Sequence, residues 1–355
     1  MKHRSKSSEW QNEAGLTIGI DLSDKMSSYC VRGADGEIRH EDRVWTGAVQ
    51  LSQVFGPVAR SRIVLEVGTH SPWVSRLLEG MGHEVIVANP RRLQLITKND
   101  RKSDRVDAAL LAELGQAMPR LLNPVRHRSA EAQDDLMLIR ARARLVETRT
   151  KLWNCLRGLA KTAGQRFPRK VSWAEVQQRD RALVPIWEMI VSATEKIRAY
   201  DAEIEKLVRT KYPAALRLQQ VTGVGPIIAL TFVLTIDYPD RFRRSRDVGS
   251  YLGLRPRQRD SGESQPQLRI TRAGDRYLRA MLVQGAQYIL HSRGPDTDLK
   301  RWGLRLASRG GRAGKKRAVV AVARKLAVLL HRLWVSGSTY EPLRNSEELA
   351  RVAGV

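Results

Sequence analysis

Ile18-Gly19-Ile20-Asp21 and Ile63-Val64-Leu65-Glu66 share one pattern: a short apolar run that ends on a carboxylate. Such runs, bounded by polar residues, read as buried strands. Asp21 and Glu66 therefore each close a strand, and both can emerge at one edge of a sheet. Crevices at the carboxyl ends of strands are where α/β proteins bind ligands. A third stretch, Lys102-Ser103-Asp104-Arg105-Val106-Asp107-Ala108, sets two acids three residues apart. That spacing puts Asp104 and Asp107 on one helix face, with Ser103 as N-cap.

Working outward, Leu16–Leu22, Ser28–Arg32 and Glu37–Trp45 read as three strands, the last two joined by an Asp35-Gly36 hairpin turn. Arg62–Val67 and Glu84–Ala88 read as two more, separated by a helix over Ser75–Met81, and a further helix runs from Ser103 to about Gln116. Periodicity supports mixed α/β. Three meandering strands followed by alternating strand and helix is the order of an RNase H-like fold.

The surroundings of these acids are basic. The 355 residues carry 62 Lys and Arg against 37 Asp and Glu, a formal net charge of +25. That excess favours a nucleic-acid partner through phosphate neutralisation and counterion release. A membrane is not expected: neither terminus reads as a basic amphipathic helix with a bulky apolar face. The longest apolar run, Ile227–Ile236, is too short to span a bilayer. The start of the chain is polar and lacks the apolar core of a signal peptide. Cys30 and Cys155 are too few for a disulfide framework or a zinc site, and the seven His show no metal-binding spacing. A reducing cytoplasm is the expected compartment.

Acids on a nucleic-acid face repel phosphate unless something neutralises them. Convergence of Asp21, Glu66, Asp104 and Asp107 would raise their pKa values. Two Mg²⁺ ions would relieve this and clamp a scissile phosphate. The competing reading of Asp104 and Asp107 is structural, as acids favoured by a helix N-terminus.

Residues 126–212 change character. Leu138, Leu145, Leu152 and Leu159 recur every seven residues, shadowed by Ile139, Val146 and Trp153. After a break at Gly164–Lys170, Leu183, Trp187, Ile190, Ile197, Ile204 and Val208 recur at helical spacing. Two long helices follow, as a self-contained hairpin or as a coiled-coil dimerisation arm. Residues 213–340 form a mainly helical unit, flanked by a polar extension at 1–15, the α/β domain at 16–125 and a tail at 341–355. Val221-Thr222-Gly223-Val224-Gly225-Pro226, before Ile227–Thr235, resembles a helix-hairpin-helix. Gly223 and Gly225 there let backbone N–H groups approach a phosphate, or merely make a tight turn. In Arg309-Gly310-Gly311-Arg312-Ala313-Gly314-Lys315-Lys316-Arg317 the phosphate-loop spacing fails, because position 309 is Arg and no strand precedes it. Arg312, Lys315, Lys316 and Arg317 are expected on a flexible basic loop against the nucleic-acid backbone.

Asp260-Ser261-Gly262-Glu263-Ser264 is ordinarily a polar turn. Its flanks change the reading. Arg255, Arg257 and Arg259 precede it, and Arg272, Arg276 and Arg279 follow on one face of a helix from about Gly274 to His291. A serine among guanidiniums is placed to attack phosphorus, because the cations stabilise the charge that develops.

With these residues in view, the chain resembles DEDD-type transposases of the insertion-sequence one-ten family, the bridge-RNA-guided serine recombinases. The motifs that carry the resemblance are Ile18-Gly19-Ile20-Asp21, Glu66-Val67-Gly68-Thr69-His70-Ser71-Pro72-Trp73, Val87-Ala88-Asn89-Pro90-Arg91, Lys102–Ala108, Tyr251-Leu252-Gly253-Leu254-Arg255-Pro256 and Gly274-Asp275-Arg276-Tyr277-Leu278-Arg279. The resemblance implies a RuvC-like domain with its quartet on Asp21, Glu66, Asp104 and Asp107, holding Mg²⁺. It also implies a transposase domain with the nucleophile on Ser261, a covalent phosphoserine intermediate, and a noncoding bridge RNA that pairs with donor and target DNA. Dimers joined through the helical arm would assemble as a tetramer on the DNA, in the cytoplasm at the nucleoid. Two departures stand out. Thr271 and Arg272 replace the usual Ser and Lys before Gly274. Asp260 takes the place of the first of two serines, which leaves Ser261 at the motif position and Ser264 as a lesser candidate.

Overall fold

The computed structural model describes residues 10–89, 103–167, 181–266, 268–309 and 311–345. Outside them lie Pro90 and Arg91 of one motif, Lys102 of another, and Gly310 of the basic stretch. The chain forms two compact units, residues 1–127 and 128–355.

The first unit is a five-stranded sheet: β1 (Thr17–Asp21), β2 (Met26–Arg32), β3 (Ile38–Trp45), β4 (Arg62–Glu66) and β5 (Glu84–Ala88), in spatial order β3-β2-β1-β4-β5. β1–β2 and β2–β3 are antiparallel; β1–β4 and β4–β5 are parallel. The five predicted strands are all present, within two residues at each end. The parallel pairs need crossover helices, and α2 (Ser71–Gly80) supplies the one between β4 and β5. α1 (Ala48–Phe55), unpredicted, precedes β4. α3 (Asp104–Ala117) follows β5, with the Ser103 hydroxyl accepting from the Val106 N–H at 3.4 Å as its cap. Alternation sorts the strands between two faces. Ile18, Ile20, Ile63 and Leu65 pack with Leu51, Phe55, Val74 and Leu78 of α1 and α2. Val64, Ile86 and Ala88 pack with Leu111 and Leu114 of α3. Trp10 of the polar extension is buried and stacks on His40 at 5.4 Å.

The second unit opens with α4 (Ala130–Thr162) and α5 (Val184–Thr210). They pair antiparallel within the chain: Arg142 meets Asp201, Arg149 meets Thr194, and Leu156 shares a cluster with Trp187. All six predicted apolar positions from Leu183 to Val208 are buried. On α4 the expected leucine stripe is the edge of the seam. Leu159 is 46% exposed, whereas Ile139, Leu156 and Ala160 are buried. A 3.6-residue helix drifts off a strict seven-residue repeat, so the neighbouring row takes over the contact.

α6 (Pro213–Leu218), α7 (Pro226–Ile236), α8 (Arg246–Tyr251), α9 (Arg276–Leu290), α10 (Asp298–Ser308) and α11 (Gly314–Ser336) complete the unit. α7 is the longest apolar run of the chain, and every residue from Ala229 to Ile236 is buried in the common core. Among the described residues no helix is long and apolar enough to cross a membrane.

Candidate active site

β1 and β4 are parallel neighbours in register, with Gly19 beside Val64 and Ile20 beside Leu65. Asp21 and Glu66 are the next residues of the two strands, side by side at the carboxyl edge. Their side chains share a face with Gly19 and Val64, two residues before, and that face carries α3. The helix comes very close there. A Cβ on Gly19 would lie 2.0 Å from the Ala108 carbonyl oxygen and 2.4 Å from the Ala112 nitrogen. A Cβ on Gly115 would meet Val64 at 2.2 Å and Thr17 at 3.5 Å. As β1 runs from Thr17 to Gly19, the contact on α3 moves back from Gly115 to Ala108. The helix is antiparallel to the strand, and its N-terminal turn, with Asp104 and Asp107, lies at the edge that carries Asp21 and Glu66.

The four acids reach this corner on different terms. Asp21, Glu66 and Asp107 are half-buried, and Asp104 is exposed. Asp104 pairs with Arg43 of β3 at 3.4 Å. Among the described residues no three carboxylate, His or Cys side chains are gathered as a metal cluster. The expected four-carboxylate cage is therefore not closed. One of the four, Asp104, is paired with Arg43 instead, and a first helical turn by itself suits an acid. The donor chemistry still fits Mg²⁺, a hard ion commonly held by one or two carboxylates plus substrate phosphate oxygens. Asp21 and Glu66 stand where such a pair would be needed, with Asp107 on the facing turn.

One feature of the corner escaped sequence reading. The Trp73 indole N–H donates to His70 Nδ1 at 3.1 Å, so in the neutral ring the proton sits on Nε2, which donates to Asp24 at 3.1 Å. Asp24 follows β1 and His70 follows β4, so this bond ties together the loops that leave both acid-bearing strands. Ser71 braces the loop after β4 itself, bonding the N–H and the carbonyl of Gly68 at 3.0 and 2.9 Å. The His-Ser-Pro-Trp signature thus has a mechanical account, visible only once the loops after β1 and β4 meet.

Ser261 lies in the second unit, at the end of a two-stranded ribbon. Thr271 N–H bonds the Arg255 carbonyl at 2.9 Å, Arg257 N–H bonds that of Arg269 at 2.9 Å, and Ser261 and Ser264 exchange backbone bonds at 3.2 and 3.0 Å. Gly262 begins the two-residue turn with φ +55°, a conformation that glycine adopts without penalty. Residues 255–266 are all exposed. The base of the ribbon is tightly built. Gly253 and Gly274 both have positive φ, and a Cβ on either would come within 2.2 Å of backbone, at the Ala273 nitrogen and the Tyr251 oxygen respectively.

The expected basic contacts divide. Arg255, Arg257 and Arg259 are exposed on the first ribbon strand, where Arg255 also bonds Gln258 at 2.6 Å. Arg276 is exposed as the first residue of α9. Arg272 lies outside that helix, in a left-handed conformation at φ +57°. Arg279 plays a structural part. Its Nη1 donates to the carbonyls of Leu252 at 3.0 Å and Ala273 at 2.6 Å, clasping the ribbon base. Gly223 is used for packing, since a Cβ there would lie 2.7 Å from the Gly285 carbonyl of α9, while Gly225 is exposed as the N-cap of α7. Lys315, Lys316 and Arg317 form the first turn of α11 rather than a flexible loop. Arg312 falls in the short 3₁₀ turn before it.

A sheet ordered 3-2-1-4-5, with acids at the carboxyl edge and on the facing helix, fits the RNase H-like domain of DEDD transposases. Residues 18–163 match the family model for DEDD transposases of the IS110 type, and residues 215–300 match that of the transposase IS116/IS110/IS902 family. A putative transposase of Sinorhizobium fredii, y4pF/y4sB, is 32% identical over 92% of this chain and 85% of its own. The transposase for insertion sequence element IS1111A of Coxiella burnetii is 28% identical over 91% and 90%, and a probable family 20 transposase of Pseudomonas aeruginosa is 29% identical over 92% and 98%. The chain belongs to the IS116/IS110/IS902 transposase family and is a DNA transposase of an insertion sequence.

Proposed function

We propose that this transposase cuts and rejoins DNA through Ser261. The observation that carries the reading is the placement of that hydroxyl at the exposed tip of an arginine-bearing ribbon, held from below by the Arg279 clasp. The Ser261 oxygen attacks the phosphorus of a DNA linkage and gives up its proton. The bond from phosphorus to the leaving sugar oxygen breaks, and that oxygen is protonated. The phosphoserine conserves the linkage energy, so a hydroxyl from another strand reverses the step and completes exchange. Arg255, Arg257 and Arg259 stabilise the charge on the phosphoryl oxygens. Asp21, Glu66 and, on the facing turn, Asp107 and Asp104 would hold Mg²⁺, which would supply charge neutralisation at phosphate.

Site choice falls to an element-encoded bridge RNA paired with donor and target DNA. The +25 charge supports a protein that holds polynucleotide backbone and leaves sequence to base pairing. The α4–α5 hairpin exposes Met137, Leu159 and Met189, which suits it to join protomers into dimers and, on DNA, tetramers. The test is a denaturing gel of protein with DNA and the element's RNA. Wild type should give a covalent protein–DNA adduct and Ser261→Ala none, with folding and RNA binding retained. A Ser261→Ala variant that still cleaves DNA would make the protein a hydrolytic nuclease.

A further inference from the structure

Behind the ribbon, α10, α11, the ribbon base and the segment after α11 enclose a cleft of about 1530 Å³. Among the described residues, eleven Lys and Arg line it against two carboxylates, Asp298 and Glu341. Its floor is apolar and includes Leu299, Val320 and Leu329, so cations ring a greasy bottom. Small-ligand pockets run to roughly 1,000 Å³, which makes this one the size for a polymer segment.

Two local observations point to an anion. The first turn of α11 carries Lys315, Lys316 and Arg317 and no acid, although a helix N-terminus disfavours cations. A bound phosphate removes that conflict. Lys325 is exposed, with its Nζ 3.9 Å from the Trp302 ring centroid. Partial desolvation and the neighbouring Arg305 both push its pKa down, an arrangement that a phosphate would reverse.

We infer that this cleft binds a single-stranded polynucleotide, with its bases on the apolar floor and its phosphates on the rim formed by Arg305, Lys316, Arg324 and Lys325. Charge complementarity selects a polyanion, and the floor selects single over double strand. A duplex hides its base faces in the stack and offers only phosphates, whereas a single strand offers both. The site is separate from Ser261 and does not depend on the serine chemistry.

The test is fluorescence anisotropy of the full-length protein with short labelled oligonucleotides: single-stranded DNA, single-stranded RNA of the same sequence, and the duplex. The single strands are expected to bind more tightly than the duplex. Arg305→Gln with Lys316→Gln, both exposed and each removing one phosphate contact, should flatten the log–log salt dependence for single strands by about 1.4, at ~0.7 per contact. Arg144→Gln with Lys151→Gln on α4 should leave it unchanged, and Ser261→Ala should bind as wild type. Thermal melts confirm that each variant is folded. A preference for RNA or for DNA upholds the site and names its source. Duplex bound as tightly as single strand, or a wild-type salt slope in the cleft variant, overturns it.

Discussion

The acidic corner and the serine ribbon solve the same problem, holding a reactive group still, by opposite means. Asp21 and Glu66 stand on neighbouring strands whose preceding residues, Ile20 and Leu65, are fully buried. Their spacing is inherited from the sheet, where strands lie roughly 4.8 Å apart whatever the side chains. Ser261 has no core beneath it. Its place is set by a few bonds at the ribbon base: two tight glycines and the Arg279 guanidinium on two carbonyls. A site in a sheet is rigid through burial, and a site on a ribbon is rigid through its root. The first is expected to tolerate surface change and fail on core change. The second is expected to fail through single polar contacts.

The largest effect should come from the acids themselves. Asp21→Asn removes one of the two strand-end carboxylates without altering the strand and is expected to cut Mg²⁺-dependent DNA cleavage on the order of 10²-fold or more. Chelation of divalent ions should do the same to wild type. Full activity in chelator would remove the metal from the comparison.

Next comes the support of the corner. Gly19→Val drives a side chain into the Ala108 carbonyl, which stands 2.0 Å from where the Cβ must go. Overpacking of this kind costs about 1–3 kcal/mol, and displacement of α3 carries Asp107 away with it. Thermal melting should show a destabilised protein, and cleavage should fall even at temperatures where it is folded. A variant that melts like wild type would show that α3 does not need its close seat on β1.

The smallest loss belongs to the ribbon root. Arg279→Ala strands the Leu252 and Ala273 carbonyls, a cost of about 1–3 kcal/mol if they stay dry. Ser261 should be less well placed, so adduct formation slows at saturating DNA while binding changes little. Arg279→Lys should recover only part of the rate, because one ammonium does not span both carbonyls as the guanidinium does. A pure loss of DNA affinity with adduct rate intact would make Arg279 a phosphate contact instead of a clasp.

Much of this was legible before any coordinates. Strand ends, the Ser103 cap and the apolar row of α5 are local patterns, and local patterns survive folding. The stripe on α4 was harder. Leu138 to Leu159 looks like the seam, yet the row through Ile139 and Leu156 is buried, because the partner helix chose between two adjacent rows. Lys315–Arg317 resembled a glycine-loosened loop, but Ala318, Val322 and Leu326 pull that segment into a helix on the core.

By itself the sequence determined where the carboxylates stand along their strands, that the middle of the chain is helical, and that the surface seeks phosphate. Those facts follow from alternation, period and charge, which need no partner. Only the tertiary structure decided which corner the acids share, that Asp104 is drawn to Arg43, that His70 links Trp73 to Asp24, and that two helices and a ribbon base wall off a basic cleft. Each of these is a meeting of residues far apart in the chain, brought about by burial elsewhere.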